Sequence, residues 1–112
     1  MNVTAREFLG NKQRFFVLDV RTPSETALYS LDGSHLLPLN ELFVRLSELP
    51  KDKEILVVCR SGNRSGFAAG LLKEKGYRAF NLDGGLRDLV FELFELRELS
   101  EAEADRILLK IG

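Results

Sequence analysis

The sequence predicts an α/β domain whose central sheet is mostly parallel and flanked by helices. Three observations predict it. Short apolar runs rich in strand formers recur at Phe15–Val20, Ile55–Cys59 and Arg78–Leu82. Segments with helical periodicity and capping residues separate them. No repeat, low-complexity tract or long linker interrupts the 112 residues, a length that suits one domain with a core of its own.

Each element has a local reason. Thr4 and Glu7 have capping-box spacing and predict a short helix from Ala5. "FFVLDV" (Phe15 to Val20) predicts a buried strand, with "TPSE" read as a turn after it. Residues 29–35 read as loop, and "LLPL" as a short extended segment that Pro38 keeps from being a central strand. "NELFVRLSELP" predicts a helix capped by Asn40 and stopped at Pro50, with Leu42, Leu46 and Leu49 on one face. "KDKEILVVC" gives a charged turn and a second strand. "SGFAAGLLKEKG" predicts a helix starting near Ser65 and closed by Gly76.

"RAFNL" is a third strand, followed by the turn "DGG". Beyond it, Leu86, Leu89, Val90 and Leu93 form a helical stripe, widened by Phe91, Phe94 and Leu96. Ser100 and Glu103 form a second capping box, before a stripe of Ala104, Ile107, Leu108 and Ile111.

The bulk composition excludes several functions. A net charge of −1 argues against a nucleic-acid binder. No apolar run approaches the ~18 residues that span a bilayer, and "MNVTAREFLG" lacks the apolar core of a signal peptide. A single cysteine forms no internal disulfide and suits a reducing compartment. These features predict a cytoplasmic protein.

The chemistry concentrates in "CRSGNRS", Cys59 to Ser65. Ligands of parallel α/β sheets bind at the carboxyl ends of strands, where Cys59 falls. The next helix presents amides without intrahelical partners and a partial positive charge. Successive amides in a tight loop form an anion-binding nest, and Gly62 and Asn63 tolerate the backbone this requires. With Arg60 and Arg64 nearby, these features favour thiolate over thiol. The alternative is a small buried hydrophobe at a strand end. Two arginines and two glycines after the cysteine tip the reading to a reactive thiol.

The motifs "VLDVRTPSE", "LPLNEL", "CRSGNRS" and "KGYRAFNLDGGL", in this order and spacing, resemble the rhodanese family of sulfurtransferases in its small single-domain form. The resemblance covers residues 3 to 89. It implies a rhodanese-like domain over 1–89 and a helical extension over 90–112, packed on the same domain or on a partner. It also implies covalent catalysis. The Cys59 thiolate would take a sulfane sulfur from thiosulfate or a persulfide donor, hold it as a persulfide, and yield it to cyanide or a thiol, a protein thiol among them. The amides of Arg60, Ser61, Gly62, Asn63, Arg64 and Ser65 would hold the anionic sulfur. Arg60 and Arg64 would orient anionic donors.

No cofactor or metal is implied. A non-catalytic interaction module is the alternative, and a cysteine phosphatase or arsenate reductase a more distant one. Tyrosine-type phosphatases place five residues between Cys and Arg, whereas this chain has four, Arg60 to Asn63. Where the family usually has Gly-His of "GHIPG", this chain has Tyr29 and Ser30, and the frequent tryptophan after "GG" is Leu89.

The remaining polar residues read more plainly. Asp19 and Arg21 are expected to pair and tie strand end to loop. His35 lacks ligand partners and reads as a surface loop residue. Ser61 and Ser65 read as candidate hydroxyl donors to the sulfur, with Ser65 equally a candidate helix cap. The C-terminal stripes either extend the core or dock on a second copy as a homodimer.

Overall fold

The computed structural model describes residues 1–111. It holds one sheet of five parallel strands, β1 (Asn2–Val3), β2 (Phe15–Asp19), β3 (His35–Leu36), β4 (Glu54–Val58) and β5 (Arg78–Leu82). Their spatial order is β1-β5-β4-β2-β3. The helices are α1 (Ala5–Leu9), α2 (Pro23–Leu28), α3 (Asn63–Glu74), α4 (Gly85–Glu95) and α5 (Glu101–Ile111).

The central strand β4 reads as an unbroken apolar run because both its faces are covered. Ile55, Val57 and Cys59 join Leu18, Leu37, Leu42, Ala68 and Leu72 on the α3 side. Leu56 and Val58 join Val3, Phe8, Leu82, Leu86 and Leu89 on the side of α1 and α4. α5 contributes Ala104 and Ile111 to this second cluster, so the C-terminal helix packs within its own chain.

Several expectations need correcting. "TPSE" is the first turn of α2, not a plain turn: Thr22 caps it, Pro23 opens it, and Glu25 closes a capping box. Residues 39–48 form two 3₁₀ segments, Leu39–Glu41 and Phe43–Glu48, rather than an α-helix capped by Asn40. Leu39 and Leu42, then Leu46 and Leu49, lie three residues apart, a spacing that stacks side chains on a 3₁₀ turn. The second segment is itself kinked at Arg45, whose guanidinium bonds Glu41 and Glu48.

α3 begins at Asn63, two residues before the expected start. β1 was not expected; its two residues pair with Asn81 and Leu82. His35 lies on β3 beside Leu18, not in a loop, and its Nε2 is 2.8 Å from Glu48. The widened stripe on α4 is narrower than expected: Leu86, Leu89 and Val90 are buried, while Phe91, Phe94 and Leu96 are exposed.

Candidate active site

Three chain segments meet at the carboxyl end of β4: the loop from Cys59 to Ser65, the C-terminal part of β5, and the start of α4. The loop must reverse direction around one atom. Gly62 does this at φ +99, where a Cβ would also sit 3.3 Å from the Gly84 amide nitrogen. From behind, α4 grips the loop. The Leu86 amide donates to the Cys59 carbonyl at 2.9 Å and the Arg87 amide to the Arg60 carbonyl at 3.1 Å. Gly85 permits this approach, because a Cβ there would lie 2.5 Å from the Arg60 oxygen, at a φ of +65. With the carbonyls of 59 and 60 turned toward α4, the loop amides turn inward.

They turn onto Cys59 Sγ. The Gly62 amide donates at 3.1 Å, the Ser65 amide at 3.4 Å and the Ser65 hydroxyl lies at 3.2 Å. Cys59 is 1% exposed. Burial alone fits a packed core cysteine; convergent polar donors do not, since an apolar side chain gives them no partner. Burial pushes the thiol up, yet the donors from the Ser65 hydroxyl and the Ser65, Gly62 and Ser61 amides outweigh it and hold the thiol below its ordinary range.

The sequence-predicted residues divide by role. Ser61, Gly62 and Ser65 surround the sulfur. Asn63 opens α3 and is exposed, as is Arg60. The Arg64 guanidinium is committed to Glu25 through bonds of 2.7 and 2.8 Å. That pairing, with help from Thr22, lowers the Glu25 carboxyl to about 2. The Arg64 charge is thus tied to α2.

Asp19 and Arg21 are fully buried and paired at 2.8 Å, and Arg21 also donates to the Tyr29 carbonyl at 2.6 Å. They brace the segment around Tyr29 and Ser30 rather than touching the sulfur. Two residues were missed. Glu25 was legible as the second half of a T-x-x-E box. Asn81 bonds Ser65 and the Gly62 carbonyl; its signal was a lone amide inside the strand "RAFNL".

A parallel α/β domain with a single thiol ringed by main-chain donors at a strand end defines a cysteine-loop domain. The match that narrows this class is the rhodanese-like domain, whose family model covers residues 4–91. The chain belongs to the rhodanese-like family. It is 38% identical over 79 residues to a sulfurtransferase of Allochromatium vinosum, covering 70% of this chain and 74% of that one. It is 34% identical over 74 residues to the thiosulfate sulfurtransferase PspE of Escherichia coli, covering 64% and 71%. Among solved structures, a rhodanese-related protein from Thermoplasma volcanium superposes with a TM-score of 0.78 at 32% identity, covering 81% of this chain and 91% of that one. The family, with these sulfurtransferase relatives, supports an enzyme of the sulfurtransferase type.

Proposed function

We propose that this protein moves a sulfane sulfur through a persulfide on Cys59. The Cys59 thiolate attacks the outer sulfur of thiosulfate or of a persulfide donor. The new S–S bond forms as the donor's bond to that sulfur breaks, and the bonding pair leaves with sulfite or with the donor thiolate. The outer sulfur, now anionic, is taken in turn by cyanide or an acceptor thiolate, and Cys59 departs as thiolate. No proton transfer is needed if the sulfur enters the cycle ionised.

The observation that carries this reading is the convergence of the Gly62 and Ser65 amides and the Ser65 hydroxyl on Sγ, which lowers the thiol without an adjacent histidine. Arg60, exposed at the loop, is assigned to drawing in anionic donors, and Arg64 to shaping the loop through Glu25. The loop has four residues between Cys59 and Arg64, which favours a single sulfur over a tetrahedral phosphate. A lone thiolate cycle of this kind belongs in a reducing compartment, so the reading places the protein in the cytoplasm.

Incubation with thiosulfate should add the mass of one sulfur atom to the wild type and none to Cys59→Ser. Cyanide should then release thiocyanate and restore the original mass. If neither thiosulfate nor a persulfide donor loads sulfur onto the wild type, the reading is wrong.

A further inference from the structure

Asn81 is a buried amide on β5, and its bonds run to both sides of the sulfur loop. Its Nδ2 lies 3.2 Å from the Gly62 carbonyl oxygen and 3.3 Å from Asn2 Oδ1. A carbonyl only accepts, so the nitrogen must face Gly62 and Oδ1 must face Ser65. Oδ1 carries no hydrogen. The Ser65 hydroxyl is therefore the only possible donor between the two, and it can give its single proton to Asn81 across 2.5 Å. The same hydroxyl oxygen is 3.2 Å from Cys59 Sγ. One proton cannot serve both acceptors.

The proton's direction depends on where the charge lies. A free thiolate is the stronger acceptor and draws the hydroxyl toward Sγ. A thiol carries little charge on Sγ, and so does an inner sulfur already bonded to a second one. In those states the hydroxyl turns back to Oδ1, by rotation about its Cβ–Oγ bond with no change in protonation of Ser65.

We propose that Asn81 is a positioning residue that acts through Ser65, giving the hydroxyl an alternative acceptor whenever Cys59 Sγ is not the anion. Asn81 thereby favours the thiol and the sulfur-loaded state over the bare thiolate, easing the departure of charge from Sγ to the outer sulfur. The loaded-state half of this statement rests on the sulfur-transfer reading above; the hydroxyl competition does not.

The test is the pH profile of Cys59 alkylation by iodoacetamide in the wild type, Asn81→Ala, Asn81→Asp, Ser65→Ala and the double variant Ser65→Ala/Asn81→Ala. Asn81→Ala removes the acceptor that competes with Sγ for the hydroxyl. At a fixed pH below the wild-type midpoint, alkylation should quicken by about two- to tenfold, the worth of one neutral hydrogen bond, and the profile should move to lower pH. Asn81→Asp keeps an acceptor facing Ser65 and adds negative charge, so alkylation should slow. In the Ser65→Ala background the Asn81→Ala change should have no effect.

A residue that merely braces Gly62 would give the same slowing in both Asn81 variants, with or without Ser65; that outcome overturns the proposal. Sulfur loading is scored separately by mass. A protein that follows the alkylation pattern but takes up no sulfur supports the hydroxyl competition and overturns the transfer reading.

Discussion

Two buried acidic groups stand side by side at the carboxyl end of the sheet, and they are held in opposite ways. Asp19 ends β2, with Val58 as its ladder partner, and Cys59 follows Val58 on β4. Asp19 is matched by a full charge: Arg21 donates from Nε and Nη2 to both carboxylate oxygens, and neither side chain is exposed. Cys59 is matched by dipoles, two amides and a hydroxyl, while Arg64 is turned onto Glu25. A charge held by an opposite charge is fixed, because any change in one leaves the other buried and unpaired. A charge held by neutral donors can leave without stranding a counter-ion. The first arrangement suits a brace and the second a nucleophile.

The largest effect that would sharpen this contrast is on turnover. Cys59→Ser should lower thiosulfate-to-cyanide transfer by on the order of a thousandfold or more, with the cooperative unfolding transition retained. If transfer persists, the sulfur is not the reacting atom. On the other side of the comparison, Arg21→Met should destabilise the fold by about 3–5 kcal/mol in urea titration, since the buried Asp19 loses its partner. Replacing both, as Asp19→Leu with Arg21→Met, should recover most of that loss. Failure to recover would mean that Arg21 matters chiefly for its bond to the Tyr29 carbonyl.

Gly85→Ala strikes the dipoles without touching any charge. The added methyl would meet the Arg60 and Cys59 carbonyl oxygens at a positive φ. A cost of about 1–3 kcal/mol is expected, with slower alkylation of Cys59 because the loop amides lose their aim. The smallest effect belongs to the half-exposed Glu25–Arg64 pair, worth roughly 0–1 kcal/mol. The Glu25 carboxyl is lowered to about 2 in the folded protein. Its contribution is therefore present above the ordinary carboxylate range and lost as pH falls toward about 2. Urea titrations of the wild type and Glu25→Gln should differ near neutral pH and converge at that acid limit.

The order of strands and helices was legible in the sequence because β2, β4 and β5 carry their burial as apolar runs. The loop was legible because Gly62 and Cys59 sit at fixed places relative to a strand end and a helix start. What escaped depended on tertiary pairing. β1 is strand only because β5 offers it an edge, and nothing in "NV" announces this. The 3₁₀ form of residues 39–48 follows from leucines reaching a core three residues apart, which also fits an α-helical face. Arg64 and Glu25 lie 39 positions apart, so their pairing is invisible until α2 is placed beside the loop. Asn81 was hidden for the same reason: its partners come from the loop and from β1, not from its own strand.

The Gly62 and Ser65 donors hold the Cys59 thiol below its ordinary range, and the alkylation profile of the wild type tests this most directly. The half-maximal rate should fall below the ordinary thiol value of about 8.5. A midpoint at or above that value, or a thiol unreactive across the range, would contradict it.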